Sequence, residues 1–150
     1  MNGITNESSD ALNNLAACYL RLDKFTEALV AMEKALKLSR ENWRMWENYL
    51  CLSVQLEDFP KTLMAMNILV GMQKFELFKP PVFRALNDYG HTEGKFEKVK
   101  WIYDQMANTT SMSAEIWNLY GDYLDGHVPI ADVVQIRLKA CRSLMKIGWE

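Results

Sequence analysis

Apolar side chains recur along this chain every three or four positions, which is the spacing of one face of an α-helix. The first two such stripes are Leu12, Leu15, Tyr19 and Leu22, then Phe25, Ala28, Met32, Ala35 and Leu36. The sequence contains no run in which polar and β-branched apolar residues alternate, and no Asn-Gly hairpin signal. The pattern therefore predicts an all-α protein.

Short polar, Pro or Gly breaks divide the stripes into eight predicted helices. Five of the breaks are Asp23-Lys24, Leu56–Pro60, Pro80-Pro81, Glu93–Lys95 and Asp125–Pro129. The last four helices are predicted over Val82–Thr92, Phe96–Ala107, about Ala114–Leu124 and about Ile130–Lys146. Asp58 and Ser113 stand where helix caps are expected. Because the connections are short, neighbouring helices should be antiparallel and form four pairs.

Landmark residues at the start of each helix show that the pairs repeat. The first-helix landmarks are Leu12, Trp46, Phe83 and Trp117, and the second-helix landmarks are Phe25, Phe59 and Phe96. Both kinds are spaced by 34 residues, except for 37 residues across an insertion before Pro80. A helix–turn–helix period of 34 residues is the signature of a tetratricopeptide array.

The residues at the motif positions of that repeat carry the resemblance. They are Leu12, Leu15, Tyr19, Ala28, Trp46, Tyr49, Phe83, Trp117 and Tyr120. The chain departs from the motif at Leu50 and Ser53, and Arg40 replaces the terminal Pro. The resemblance implies a right-handed superhelical solenoid of antiparallel helix pairs, with about four repeats and eight helices. We place the repeats at about 9–42, 43–76, 80–113 and 114–146, between a flexible tail of residues 1–8 and a C-terminal end of residues 147–150.

Longer stretches resemble one particular family of repeat proteins. They are Ala11–Ala16, Tyr19–Leu22, Glu33–Lys37, Trp43–Tyr49 and Ala114–Tyr120. In this order they look like the C-terminal repeats of the tetratricopeptide repeat protein 27 family, which includes the yeast cell-wall maintenance protein Emw1. Members of that family are much longer, so the array is expected to continue upstream of Ser9. The resemblance implies a repeat scaffold with no catalytic residues to carry over.

Charge and composition narrow the classes of partner. The net charge is −2 and the pI about 5.7, so no basic face favours nucleic acid or anionic lipid. The longest strongly apolar run, Thr62–Gln73, falls short of the roughly 20 residues that span a bilayer. Three widely separated cysteines match no metal or redox spacing and indicate reduced thiols. We expect a cytoplasmic protein, with the nucleus as the alternative, and no membrane or direct nucleic-acid binding.

No constellation of residues in the sequence indicates catalysis. The two histidines, His91 and His127, are predicted to be exposed turn residues without metal-ligand partners. The sequence has no Gly-rich phosphate loop, nucleophile elbow or acid pair in an apolar frame. We therefore predict no catalytic residue, no metal site and no cofactor, and a protein that is not an enzyme.

The first helix of each pair should line the concave groove that such repeats form. By register with the resembling family, the candidate partner-binding residues are Asn13, Arg44, Glu47, Asn48, Arg84, Asp88 and Asn118, together with Ala17 and Cys51. They are mixed in charge, which is typical of a groove for a protein segment or of an ordinary solvated wall. Only Asn48 fits the clamp that holds chaperone C-terminal carboxylates, so we reject that binding mode.

Two further features bear on function. The aromatic pairs of residues 99–124 also resemble half-a-tetratricopeptide repeats, so the alternative hypothesis is a scaffold of an RNA-processing complex. The last predicted helix is apolar on more than one side, through Val133, Val134, Ile136, Leu138 and Leu144. We predict that it caps the array, or docks either a partner or a part of the protein outside this sequence. The favoured function is a non-catalytic scaffold that holds partner proteins, of unknown identity, in an intracellular multi-protein assembly.

Overall fold

The computed structural model describes residues 8–72, 79–109 and 112–149, and these residues are helical with no strand. The helices are α1 (Ser9–Arg21), α2 (Phe25–Leu38), α3 (Trp43–Gln55), α4 (Phe59–Val70), α5 (Lys79–Gly90), α6 (Phe96–Thr109), α7 (Ala114–Leu124) and α8 (Ile130–Trp149). The predicted all-α class of helical hairpins is confirmed.

The helices fall into two compact units, Met1–Leu77 and Phe78–Glu150. In the first unit α1 packs on α2, α2 on α3 and α3 on α4. In the second unit α5 packs on α6 and α7, and α7 packs on α8. Within each unit a helix pair contacts the adjacent pair, which is the packing of repeat proteins. The superhelical twist over all four pairs stays a prediction.

Polar side chains start four of the helices by accepting a hydrogen bond from an otherwise unpaired backbone N–H. The caps are Ser8, Asn42, Asp58 and Ser113, with donor–acceptor distances between 3.0 and 3.3 Å. Asp58 and Ser113 are the caps predicted from the sequence. Each cap therefore fixes the residue at which its helix begins.

Small side chains bring α1 and α2 close together. Ala16 of α1 and Ala28 and Ala35 of α2 are completely buried, and Leu12 and Met32 fill the space beside them. Small residues at a crossing allow two helix backbones to approach, and the larger neighbours then exclude water. Tyr19, by contrast, is half-buried.

Residues that depart from the motif have local replacements for its contacts. Ser53 stands at the Tyr position of the second repeat, and its buried hydroxyl lies 2.9 Å from that of Thr62 in α4. Gly90 stands at the same position of the third repeat, where an added Cβ would collide with the Tyr123 ring. The Trp46 indole N–H donates to the carbonyl of Arg40, 2.8 Å away, and so ties the turn where the motif has Pro.

Two predicted helix boundaries were wrong. Helix α5 begins at Lys79, so Pro80 and Pro81 lie inside its first turn, where a missing N–H costs no intrahelical bond. Helix α8 continues to Trp149 and includes residues 147–149, which were assigned to a separate C-terminal end. A single Gly costs a helix only about 1 kcal/mol relative to Ala, which does not by itself end the helix. Residues 1–7 of the predicted tail and residues 73–76 of the second repeat lie outside the described residues.

Replacing Trp46 with Ala should be strongly destabilising. Trp46 is 4% exposed, its ring meets Tyr49 edge-on at 5.6 Å, and its N–H is bonded. We expect Trp46→Ala to lower the free energy of unfolding by about 3–5 kcal/mol, measured by urea denaturation. Trp101, at 38% exposed, provides the control. An effect of Trp46→Ala no larger than that of Trp101→Ala would contradict this packing.

Candidate functional site

A buried tyrosine sets the position of α3 in the first unit. The Tyr49 hydroxyl donates to Glu33 Oε2 of α2 at 2.8 Å, and the same oxygen lies 3.1 Å from Lys61 Nζ of α4. One carboxylate thus links three helices. Burial, followed by the hydrogen bond to Glu33 and its charge, raises the pKa of Tyr49 above the ordinary tyrosine value.

The contact between tyrosine and carboxylate recurs in the second unit, where the lysine lies on the same helix as the acid. The Tyr120 hydroxyl of α7 donates to Asp104 of α6, and Lys100 Nζ lies 3.0 Å from that carboxylate. Asp104 follows Glu33, and Tyr120 follows Tyr49, by 71 positions, which is two repeat periods. We call each of these two contacts a tyrosine–acid joint. In both units the joint attaches the first helix of one pair to the second helix of the preceding pair.

Leu15 is in register with Tyr49 and Tyr120 but differs from them. It is 41% exposed, whereas both tyrosines are fully buried. Among the described residues no second helix precedes α1, so no helix covers this position as α2 covers Tyr49. Of the predicted motif residues, Leu12, Ala28, Trp46, Tyr49, Phe83, Trp117 and Tyr120 are buried.

A cleft of about 330 Å³ lies between α1, α2 and α3 in the first unit. Its lining residues are Asn13, Asn14, Ala17, Leu20, Met32, Asn48, Cys51, Leu52 and Gln55. Asn13 and Asn48 are predicted partner-binding residues, and the structure brings them to the same cleft. Gln55 was not predicted, although it lies two helical turns after Asn48 and so shares its face.

The cleft combines amide side chains with an apolar floor. Four of its lining residues are Asn or Gln, and none of the nine described lining residues is charged. An amide side chain both donates and accepts hydrogen bonds, as a peptide group does. The cleft can therefore pair with the backbone of a bound segment, while Met32 and Leu52 contact its apolar side chains.

Arg44 and Glu47 do not line this cleft. The Arg44 guanidinium lies over the Trp43 ring, 5.1 Å from its centroid, which is a cation–π contact at the surface. Glu47 is half-buried, and its charge adds to burial in raising the pKa of the Cys51 thiol. A raised pKa lowers the thiolate fraction of Cys51, whose side chain is exposed on α3, and so lowers its reactivity as a nucleophile.

The other three candidates lie in the second unit. Arg84 and Asp88 are exposed on α5, and Asn118 is exposed on α7, which packs on α5. Sequence reasoning missed the residue between them, Asn87. Its amide donates to the Leu119 carbonyl at 3.5 Å and accepts from the Tyr103 hydroxyl at 2.5 Å. Asn87 therefore ties α5 to both neighbouring helices, and the exposed candidates lie beside this contact.

The two histidines are exposed turn residues that also belong to a stack of rings. The His91 ring lies 4.0 Å from that of His127 and 4.6 Å from that of Tyr123, all nearly parallel. Tyr123 in turn stacks on Phe96 at 4.8 Å, and its backbone carbonyl lies 2.9 Å from His91 Nε2. The stack joins the turns of the two pairs in this unit. No sequence signal connects His91 with His127, because their separation matches no motif.

Neither a cluster of metal-ligating side chains nor a membrane-spanning helix is found in the part of the chain that the structure describes. Within residues 8–72, 79–109 and 112–149, no three His, Cys, Asp or Glu side chains are grouped so as to hold a metal ion. No helix among these residues is both long enough and apolar enough to cross a bilayer.

The helix pairs, their period and the buried motif residues define a tetratricopeptide repeat protein. The family model of the tetratricopeptide repeat matches residues 9–42, the first helix pair. Beyond this repeat class, the chain resembles the tetratricopeptide repeat protein 27 family, as the longer sequence stretches predicted.

Curated relatives carry the more specific resemblance. The chain is 27% identical over 125 residues to the Dictyostelium discoideum tetratricopeptide repeat protein 27 homolog, covering 77% of this chain and 15% of that protein. It is 37% identical over 131 residues to the Caenorhabditis elegans tetratricopeptide repeat-containing protein trd-1, and this match covers 74% of this chain and 17% of that protein. A shorter match is to the Saccharomyces cerevisiae protein named essential for maintenance of the cell wall protein 1. The two are 33% identical over 63 residues, which cover 41% of this chain and 7% of that protein. The chain thus spans less than a fifth of these relatives' length.

High pH should unfold the chain through its tyrosines. Burial raises the pKa of Tyr49, Tyr103, Tyr120 and Tyr123 in the folded chain. Above about pH 10, the ordinary tyrosine pKa, the unfolded chain loses these protons first, so the free energy of unfolding falls as pH rises. Below that pH the contribution is fully present.

Ultraviolet absorbance of tyrosinate and circular dichroism, followed in one titration, check this expectation. Ionisation of these four tyrosines should coincide with loss of helix. Reversible ionisation of all six tyrosines with the helicity intact would show that the four phenols are not held as the structure places them.

Proposed function

We propose that this segment is a non-catalytic protein-interaction scaffold that holds a partner protein in an intracellular multi-protein assembly. Its repeat class, and relatives named for the same repeats, support a role in binding proteins. The binding residues proposed are Asn13, Asn48 and Gln55 in the cleft. Arg44, Glu47, Arg84, Asp88 and Asn118 are proposed as flanking contacts on the first helices.

The observation that carries the proposal is the amide-lined cleft between α1, α2 and α3. Its amides match a peptide backbone, and its apolar floor offers burial that an exposed segment lacks. Each hydrogen bond to the segment contributes about 0.5–1.5 kcal/mol net. An extended or helical segment of the partner is therefore the favoured ligand class.

The lack of charged residues among those described at the cleft disfavours two other classes of ligand, terminal carboxylates and phosphate-bearing molecules. A terminal carboxylate needs charge-assisted donors to offset its desolvation, and none of the described residues that line this cleft is Lys or Arg. Chaperone tails are therefore not the proposed partner. Phosphate-bearing ligands require the same cations.

The alternative, a half-a-tetratricopeptide scaffold in an RNA-processing complex, would hold proteins rather than contact RNA. The aromatic residues that suggested it, Tyr103, Trp117 and Tyr120, are buried and cannot stack on bases. We expect no binding of single-stranded RNA at low salt in a fluorescence titration. Salt-dependent binding at micromolar protein would contradict this expectation and indicate direct contact with RNA.

Loss of the cleft amides should weaken capture of the partner. The partner would first be identified by affinity purification and mass spectrometry with the chain as bait, then measured against purified variants. Asn13→Ala with Asn48→Ala removes two proposed hydrogen-bonding groups, and we expect binding to weaken roughly 5- to 100-fold. Arg44→Ala with Glu47→Ala should weaken it less, because neither residue lines the cleft.

Asn108→Ala provides the matched control, because Asn108 is an exposed amide of α6, outside the cleft. Circular dichroism of each variant checks that helicity is unchanged. Undiminished affinity of the folded Asn13/Asn48 variant would exclude the cleft as the binding site.

A further inference from the structure

Helix α8 has a second apolar face that none of the described residues of its unit covers. Val133 and Ala140 are buried, on the face that α8 turns toward α7. The other face carries an exposed row at spacings of three and four residues. We call this row the outer stripe; its members are Ile130, Val134, Leu138, Cys141 and Met145. Isolated exposed apolar residues are ordinary, but a row along four helical turns is not.

The first helix pair shows what covers such a face. A shift of 105 positions relates Ala28 and Ala35 of α2 to Val133 and Ala140 of α8, and all four are buried. The same shift relates Leu36 to Cys141 and Glu33 to Leu138.

In α2 these two positions face the next helix. Leu36 is buried beside Trp46 and Tyr49, and Glu33 accepts the hydrogen bond of Tyr49. The outer stripe is therefore the face that a neighbouring helix covers in the chain's own first unit.

The charges beside the stripe define the helix that fits. Of the α8 side chains that the structure describes, Arg137, Lys139 and Arg142 are cationic and Asp132 is anionic. Arg137 is paired with Asp122 at 3.4 Å. Arg142 follows Leu138 by one helical turn and Arg137 precedes Cys141 by one, so these two arginines border the stripe on its two sides. Lys139 lies farther round the helix, on the same side as Asp132. A second copy of α8 would bring the two arginines together with their copies, whereas an acidic helix would pair with them.

We propose that the outer stripe of α8 docks an amphipathic helix of a partner protein, whose apolar row is bordered by Asp or Glu. The apolar rows exclude water, and the acidic border sets the orientation and selects against basic helices. This surface lies on a different helix from the amide-lined cleft, so the two sites can be tested separately.

A pair of synthetic helical peptides tests the proposal. Both carry the same apolar row, and one has Glu and the other Lys at the bordering positions. Fluorescence anisotropy with the whole chain should show binding of the Glu-bordered peptide. Binding of the Lys-bordered peptide should be at least about tenfold weaker at low salt, with a difference that shrinks as salt rises.

Matched variants locate the binding. Val134→Glu with Leu138→Glu should weaken binding of the Glu-bordered peptide at least about tenfold, because the substitutions place charges in the apolar row. Leu15→Glu with Val30→Glu should leave its affinity unchanged. Both pairs consist of one Val and one Leu at similar exposure. Val134 is 48% and Leu138 46% exposed, whereas Leu15 is 41% and Val30 44% exposed. Circular dichroism should show the same helicity for both variants.

Three results would overturn the proposal. The first is equal binding of the two peptides, and the second is loss of binding only in the Leu15/Val30 variant. The third is a dimer in sedimentation analysis that Val134→Glu with Leu138→Glu converts to monomer, because it would assign the stripe to a second copy of the chain.

Discussion

A buried phenol must keep a hydrogen-bond acceptor, and this requirement fixes how the helix pairs stack. Tyr49 and Tyr120 bring their rings into the core, where an unpaired hydroxyl costs about 1–3 kcal/mol. The acceptor comes from the second helix of the preceding pair, Glu33 in one unit and Asp104 in the other. A hydrogen bond tolerates little change in distance, so the spacing of the two helices is set at this contact. The cleft between α1, α2 and α3 depends on that spacing.

Much of the fold could be predicted because its signals are local. The helical periodicity, the caps at Asp58 and Ser113 and the repeat period are readable from short windows of sequence. The two wrong boundaries, at Lys79 and Trp149, lie beside Pro and Gly. Pro can precede a helix or stand in its first turn, and Gly can end a helix or lie within it. Contacts between distant residues could not be read in this way. The Ser53–Thr62 hydroxyl pair and the stack of His91 on His127 depend on which helices meet.

The candidate site, too, could be predicted only in part. Asn13 and Asn48 were predicted from register, and the structure places both at one cleft, whereas Arg44 turns to the Trp43 ring. Register predicts which helix face a residue occupies, but a flexible cation can follow the nearest aromatic surface. The outer stripe of α8 shows the complementary case. Apolar residues on two sides of α8 were visible in the sequence, but only the structure shows which side is buried.

A double-mutant cycle on Tyr49 and Glu33 tests the central claim most directly, since it isolates the coupling between adjacent helix pairs. Tyr49→Phe, Glu33→Ala and the double variant would be unfolded in urea, and the three changes in free energy compared with the native chain. The account predicts a coupling energy of about 0.5–3 kcal/mol, as for residues in direct contact. Additive effects, with a coupling energy near zero, would contradict the claim that the tyrosine–acid joint holds the pairs in place.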